Sequence, residues 1–574
     1  MEFHSLACPL PHIPDDLTIP QFIFEYVSPN RPARAPSIPW LIDNGTGRQV
    51  FGHELRKRTF ALANALKIMY GIGEDDVALI FGRNHVDYPV ATWAVHMLGG
   101  IISGANPGFT VDELLYQINE TNARVLFVFP DCLEVARKAA HEAGMAPERL
   151  ILFNTISQAS ADYTTVDDLV HLGLKAKHSF VERKLKQGEA RTKLAYFNFS
   201  SGTTGRPKAV SIAHYAVITN VIQMAAHNRV NDDDLPWEDS RFRPGGVAIG
   251  VLPLYHIYGL VLNLHFILFA AMTYVVVSKF NYVEMLESVM RYHISHLMLV
   301  PPQITLLCKH PATPRYDLRR HVRFIMSGAA PLTSEINQEL YRMFPDAHIG
   351  QAYGMTETCT AVTMFSITRK RGVPGSSGIL MPGIAAKVVK SDGTLAGYGE
   401  EGELVIKSPS VALGYSNNKQ ATKETFIDGW VKTGDKVKIY QDGEVFVIDR
   451  IKEIMKVKGF QVAPAELEGC LLEHPDVAVA CVVGVPDDYS GEVPFAFVTL
   501  RASAAECVAR DPSAARVIKQ SIIKHVADNK VSYKHLSGGV ELVQSIPTSP
   551  SGKLLRRLMR EKAKTVKKRA IAKL

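Results

Sequence analysis

The sequence predicts an α/β protein in two parts: a large N-terminal domain of layered α/β sheets with a small β subdomain, then a small α+β C-terminal domain. Three observations carry this expectation. Strand-like apolar runs alternate with helical patterns from Val77 onward, the signature of layered, largely parallel sheets. Around Lys387–Val389 and Gly402–Lys407 the texture changes to short, glycine-punctuated strands. Beyond Asp449 the chain runs to residue 574 with strands and helices of its own, and the total length exceeds what one hydrophobic core usually supports.

Taken in order, Val77–Phe81 reads as a buried strand, followed by a helix across Pro89–Leu98. Arg124–Phe129 is a second strand, with a helix starting near Asp131. Leu194–Phe199 is another buried strand, and His296–Val300 and His321–Met326 repeat the theme. The polar stretch Asn231–Gly245 reads as a surface insertion. Gly250–Ser278 lacks formal charge and is long enough to span a bilayer. Its Pro253, His256, Asn263 and His265, and its β-type ending Thr273–Val277, favour a buried helix followed by a buried strand. Val437–Tyr440 and Val445–Ile448 form a hairpin, because Asp442-Gly443 in the connection is a strong turn signal. The domain boundary is placed at Asp449/Arg450, giving domains 1–449 and 450–574, the second with strands at Ala478–Val483 and Phe495–Leu500.

Composition narrows the function. At 47% hydrophobic and 21% charged, the chain has the balance of a soluble globular protein. Its net charge of +7 is spread among carboxylates, and no basic face with interleaved aromatics points to nucleic acid. A mildly basic balance suits polyanionic small molecules. The seven cysteines are scattered singly with no C-x-x-C pair, which argues for reduced thiols rather than disulfides or a zinc site. The N-terminus lacks a basic n-region and an apolar h-region, so no secretory signal is expected.

The chemistry-bearing residues begin at Ser200-Ser201-Gly202-Thr203-Thr204-Gly205-Arg206-Pro207-Lys208, immediately after a buried strand. Hydroxyls, backbone N–H groups brought close by glycine, and a lysine outline a phosphate cradle. The order is not that of a Walker A loop. Alone, such a loop is more often ordinary surface. Downstream, Leu252–Gly259 sets His256 and two tyrosines among apolar residues, and Ser327–Leu332 ends a strand with small residues against which a flat ring could lie. Gly350–Thr358 combines an aromatic plate, a hydroxyl and a carboxylate, while Thr433-Gly434-Asp435 and Asp449-Arg450-Ile451-Lys452 add a carboxylate and cations. Pro547–Lys553 holds a lysine at the tip of a rigid loop. Singly, each has a dull meaning: a core histidine, a turn aspartate, a glutamate in a first helical turn, a solvated lysine.

Together and in this order, SSGTTGRPKAV, LPLYHIYGL, SGAAPL, GQAYGMTET, TGD, DRIKEIMKVKGFQVAPAELE and PTSPSGK resemble the adenylate-forming, AMP-binding superfamily of acyl-CoA synthetases, most of all 4-coumarate–CoA ligases and their fungal relatives. The resemblance spans roughly Pro36–Leu558. It implies ATP, magnesium and coenzyme A as partners in the reaction, and a C-terminal domain that is a mobile lid. By position it implies that Ser200, Ser201, Gly202, Thr203, Thr204 and Lys208 hold the ATP phosphates. Ala329, Gln351, Ala352 and Tyr353 would face adenine, Thr356 a phosphate, and Glu357 the magnesium. Asp435 and Arg450 would bind the ribose, and His256, Tyr258 and Ala352 border the acyl pocket. Lys279, Lys458 and Gly459 resemble coenzyme A contacts, Lys456 and Gln461 face the nucleotide, Lys452 is the hinge, and Lys553 is the adenylation lysine.

Departures bear on the substrate. Gly402–Ser408 replaces the block GEICIRG of the plant enzymes, Ala352 stands where a glycine is often found, and the segments Asn231–Gly245 and Ala502–Arg516 are unlike those enzymes. The expected activity is ligation of an apolar acid, aromatic or medium-chain aliphatic, to coenzyme A, with no one acid implied. A luciferase-like oxygenase and a carrier-protein-loading adenylation enzyme are alternatives on the same fold. Ala572-Lys573-Leu574 resembles the peroxisomal import tripeptide, so an import receptor and a peroxisomal location are expected.

Overall fold

The computed structural model describes residues 1–153, 163–200, 207–330, 332, 334–457, 460–487, 490–549 and 552–571. Among these, the strands form four sheets. The first, of seven strands, has Val77–Phe81 at its heart, parallel to Ile101–Ala105 on one side and to Ala123–Val128 on the other. All five residues of Val77–Phe81 are buried, as expected of a parallel strand covered on both faces. Leu194–Ser200 joins parallel to Ile101–Ala105, and Lys208–Ala213 then returns antiparallel with Ser200 opposite Lys208. Ser200 and Lys208, the two ends of the hydroxyl-rich segment, thus stand side by side. A short edge strand, Gly414–Tyr415, pairs antiparallel with Lys208–Ala213.

The second sheet, of nine strands, is parallel from Leu41–Asp43 through Thr273–Val276, Val247–Gly250, His296–Leu299 and Phe324–Ser327 to His348–Met355. Its ends turn antiparallel, with Thr360–Met364 folding back on His348–Met355. The third, of six strands, is antiparallel throughout and contains Ala385–Val389, Gly402–Lys407, Trp430–Ile439 and Val445–Arg450. The fourth, of five, is built wholly from residues after Ile454. Its long hairpin, Val477–Asp487 against Gly491–Leu500, alternates faces: Ala480 and Val482 meet helices Pro464–Leu472 and Ala514–Asn529, while Cys481 and Val483 meet helix Arg556–Ile571.

Several boundaries differ from the expectation. The strand read from His321 begins at Phe324, because a short 3-10 turn occupies Leu318–Arg320. The C-terminal strands are longer than read, since Pro486 and Pro494 are accommodated within the ladder. Asn231–Gly245 is only partly a surface insertion. Arg241 is fully buried, its guanidinium 3.8 Å over the Phe365 ring and donating to the carbonyls of Phe365 (3.0 Å), Ser366 (2.5 Å) and Arg369 (3.0 Å). The charge is satisfied by carbonyl dipoles, so polarity along the sequence misreports its place. Segment 250–278 becomes a buried π-helix at Tyr258–Phe266, a turn of α-helix at Ile267–Phe269 and the strand Thr273–Val276. Among the described residues no helix is long and apolar enough to cross a membrane.

Candidate active site

The carboxyl ends of the parallel strands in the nine-stranded sheet converge with the antiparallel strand Trp430–Ile439 and with the C-terminal domain. Where an open α/β sheet changes direction, a crevice forms outside its strand ends. Here His348–Met355 leaves the parallel set, passes through the tight turn Thr356–Thr358 and returns as Thr360–Met364. The return costs backbone strain, with Cys359 at φ 56° and the β-branched Thr360 at φ 99°. Thr360 is held there by its hydroxyl, which donates to the Ile257 carbonyl at 3.0 Å.

That turn presents Thr356 and Glu357, both buried. Tyr415 on the edge strand donates its hydroxyl to Glu357 Oε1 at 2.8 Å, and Lys208 Nζ sits 4.7 Å over the Tyr415 ring. Strand pairing explains the arrangement, since Tyr415 lies opposite Val210, two residues beyond Lys208. The end of the hydroxyl-rich loop is thereby joined to Glu357. Ser200 and Lys208 flank that loop, whereas Ser201, Gly202, Thr203 and Thr204 lie outside the described residues.

Tyr353 donates its hydroxyl to Asp435 Oδ2 at 2.6 Å, and Arg450 Nε meets Asp435 Oδ1 at 3.0 Å. Asp435 and Arg450 are direct cross-strand partners. The Asp435 N–H donates to the Thr433 hydroxyl at 3.1 Å, which fixes the bend of the Thr-Gly-Asp turn. Burial, with the Asp435 carboxylate alongside, holds the Tyr353 phenol well above its usual range. Gln351 is buried, and its Oε1 accepts from the Leu332 N–H at 2.9 Å, tying two strand ends together. Ala329 sits in the left-handed region at φ 73°, so the backbone turns sharply just after Phe324–Ser327.

One wall is aromatic. A Cβ on Gly328 would come within 3.0 Å of the Tyr258 ring, so only glycine lets the strand end approach it. The Tyr258 N–H donates to His256 Nδ1 at 3.2 Å. Burial, and then the Lys553 charge, depress His256 to about 3, so its imidazole is neutral. Tyr258 Oη and Ser327 Oγ are buried without hydrogen-bond partners among the described residues.

The C-terminal domain closes this crevice with Lys553. Thr548 and Leu554 bridge antiparallel, the Ser549 N–H donates to the Lys553 carbonyl at 2.7 Å, and the Lys553 N–H donates to Ser549 Oγ at 3.0 Å. Gly552 has φ 78°, and a Cβ there would meet Val300 Cγ2 at 2.8 Å, so the loop docks closely on the start of helix Pro301–Lys309. Burial and the Arg450 charge push the Lys553 ammonium down, while Asp435, Glu357 and Glu453 pull it up. Behind it, Arg556 donates to Glu453 (2.5 Å) and to both oxygens of Glu468 (2.6 and 3.1 Å). Asp449 accepts from the N–H groups of Arg450 (2.7 Å) and Ala465 (3.0 Å), and burial raises it to about 6.

Thr356, Glu357, Tyr353, Asp435, Arg450, His256, Tyr258 and Lys553 therefore share one crevice, with Ala329, Gln351 and Ala352 on its strand ends. Other candidates stand apart from it. Lys279 is exposed just beyond the strand Thr273–Val276. Lys452 is exposed in the turn after Arg450. Lys456 and Gln461 face each other across the hairpin Met455–Val457/Phe460–Val462, both exposed, and Gln461 Oε1 accepts from Lys436 Nζ at 2.7 Å. Lys458 and Gly459 lie outside the described residues. Sequence reasoning missed Tyr415, Glu453 and Arg556. A lone Gly-Tyr carries no signal, Glu453 is one charge among several in the segment after Arg450, and Arg556 is one of many basic residues near the C-terminus.

Residues 29–416 match the family model described as AMP-binding enzyme, and residues 466–553 match that of the AMP-binding enzyme C-terminal domain. Acyl-CoA ligase AFT1-1 of Alternaria alternata is 35% identical, over 96% of this chain and 95% of that protein. 4-Coumarate–CoA ligase 2 of Oryza sativa subsp. japonica is 33% identical, over 96% of this chain and 93% of that protein. The solved structure of the anthranilate CoA ligase AuaEII in complex with anthranoyl-AMP has a TM-score of 0.81 over 96% of this chain and 98% of that one, at 22% identity, a likeness of fold. The chain belongs to the AMP-binding enzyme family, among its acyl-CoA ligases.

Proposed function

We propose that the protein activates an apolar carboxylic acid with ATP and transfers the acyl group to coenzyme A. The single observation that carries this reading is the seating of Lys553 beside Glu357, Asp435 and Arg450 in a crevice with an uncharged aromatic wall. A carboxylate is a poor electrophile. Its oxygen attacks the α-phosphorus of ATP, the bond to the bridging oxygen breaks, and diphosphate leaves. The Lys553 ammonium is positioned to meet the negative charge that develops between the acid and the α-phosphate. Asp435, oriented by Arg450 and Tyr353, is the acceptor for the ribose hydroxyls. Ala329, Gln351, Ala352 and Tyr353 flank the adenine, while Ser200–Thr204 and Lys208 cradle the phosphates.

The reaction calls for magnesium, and Glu357 fits it: a buried carboxylate with one oxygen on Tyr415, next to the Thr356 hydroxyl. Glu357 and Thr356 would hold the ion, which supplies charge neutralisation at the phosphate oxygens when bound. In the second half-reaction the coenzyme A thiol loses its proton to solvent, the resulting thiolate attacks the acyl carbonyl, and AMP departs. We assign Lys279, Lys458 and Gly459 to coenzyme A at that stage and Lys456 and Gln461 to the nucleotide, with Lys452 at the hinge between domains 1–449 and 450–574. His256, Tyr258, Gly328 and Ala352 bound the acyl tail, and the neutral His256 favours an aromatic or aliphatic acid over a dianionic one.

The test is a diphosphate-release screen of the purified protein with ATP, magnesium and a panel of acids, with mass detection of thioesters. Apolar acids are expected to give both diphosphate and acyl-CoA; activity confined to dicarboxylic acids would overturn the substrate class, and no diphosphate release with any acid would overturn the reaction. We also propose peroxisomal import through Ala572-Lys573-Leu574, which lies outside the described residues. Fusing the last ten residues to a fluorescent protein tests it, and a diffuse cytosolic signal would reject it.

A further inference from the structure

We propose that the C-terminal domain carries a second site, unconnected with turnover: a divalent transition-metal site made by Cys470, Glu473 and His525 where helices Pro464–Leu472 and Ala514–Asn529 meet. One ligand atom from each residue lies within 4.8 Å of the other two, and among the described residues this is the one group of its kind. Cys470 and Glu473 are three residues apart at the end of the first helix, so both project from one face. The second helix brings His525 across to them.

The donor set selects the ion. A thiolate, an imidazole and a carboxylate suit zinc or cobalt, and do not suit calcium or magnesium, which prefer all-oxygen shells. Thiolate and carboxylate together carry two negative charges, matching a dication. Ligands of a tetrahedral zinc stand roughly 3.3–3.8 Å from one another, given bond lengths of about 2.0–2.3 Å. Glu473 is exposed, so its carboxylate has room to turn toward an ion held by Cys470 and His525.

A supporting interaction is already built. His525 Nε2 meets the Cys470 carbonyl at 3.1 Å. With the proton on Nε2, this bond fixes the ring and leaves the Nδ1 lone pair for a metal, the arrangement typical of ligating histidines. His474 stands edge-on to His525 at 5.4 Å but has both nitrogens engaged, Nε2 with the Ser521 hydroxyl (2.9 Å) and Nδ1 with the Asp476 N–H (3.2 Å). The fourth position therefore falls to water on the open side by Glu473. Lys530, whose charge acts on Cys470, is paired with Glu466 at 3.4 Å, and Lys534 with the same carboxylate at 2.7 Å. On binding, Cys470 releases its thiol proton to solvent and no redox change occurs. An ion here would brace the helix whose first turn, at Ala465, is hydrogen-bonded to Asp449 behind the hinge.

The experiment titrates cobalt(II) chloride into the full-length, reduced, chelator-treated protein and follows the thiolate-to-cobalt charge-transfer band. We expect one equivalent to bind, the band to vanish in Cys470→Ser, and affinity to fall about ten- to a hundredfold in Glu473→Gln and in His525→Gln. Zinc should raise the melting temperature of the wild type and not of Cys470→Ser. Glu473→Gln alters an exposed side chain and should keep wild-type diphosphate exchange, which separates lost binding from lost fold. Absence of the band in the wild type, its persistence in Cys470→Ser, or unchanged affinity in both Glu473→Gln and His525→Gln would overturn the proposal.

Discussion

Lys553 is a cation held partly out of water, with one cation and three carboxylates in its field. In the proposed reaction its value would lie in being in place before negative charge develops, because a preset donor needs no reorganisation at the reacting moment. Lys553→Ala should therefore slow acid-dependent ATP–diphosphate exchange by about a hundred- to a thousandfold. Thioester formation from supplied acyl adenylate should stay within a few fold, as measured by mass detection of acyl-CoA; equal loss in both half-reactions would remove the assignment. Gly328 sets the width of the aromatic wall, since a Cβ there meets Tyr258. Gly328→Ala should shift preference toward smaller acids by about 1–3 kcal/mol, read from kcat/KM across an acid series. At this scale the sequence was most legible where residue types are chemically forced: a hydroxyl beside a carboxylate in Thr356-Glu357, a carboxylate in a glycine turn at Asp435, a lysine on a Pro/Ser/Gly loop. Tyr415 escaped notice because its role comes from an edge strand pairing with Lys208–Ala213, two hundred residues away in sequence and adjacent in space.

At the level of elements, the parallel strands and the Asp-Gly hairpin were legible because continuous burial and turn chemistry are local properties. The hairpin read at Val437–Tyr440 and Val445–Ile448 is the ladder Trp430–Ile439 against Val445–Arg450, with Gly443 at φ 83°. What stayed hidden depends on partners distant along the chain. Arg241 is the clear case: its three carbonyl acceptors and the Phe365 ring all come from residues 365–369. Arg241→Met should destabilise the protein by about 2–4 kcal/mol, because the Arg369 carbonyl loses its donor and those of Phe365 and Ser366 are left with only His227 Nε2 and the Arg369 N–H, and the urea midpoint will register it. The loop bearing Lys553 gives a milder test. Gly552→Ala imposes a side chain at φ 78° and a 2.8 Å contact with Val300. It should cut diphosphate exchange at least about tenfold through poorer docking. The melting temperature should barely move, since the loop is peripheral to both cores of its domain.

Across the whole molecule, several histidines are buried and neutral. Burial lowers His96 and His296 to about 3 and His227 and His265 to about 4. In the unfolded chain each returns to about 6.5. The unfolded state therefore binds more protons below that value, and stability falls as pH falls. Each group contributes a slope of roughly 1.4 kcal/mol per pH unit between about 6.5 and its folded value. The urea midpoint should be flat from pH 7 to 8 and drop steeply from 6.5 toward 4; a flat profile down to pH 4.5 would contradict the neutral, buried assignment.

The rung joining Asp435 to Arg450 is the last between Trp430–Ile439 and Val445–Arg450, and the exposed turn bearing Lys452 begins one residue later. Any swivel of the smaller lobe must pull on that rung. If Asp435 holds the ribose as proposed, grip on the sugar and freedom of the swivel are mechanically interlocked, and the movement that parts the lobes would also release the spent nucleotide.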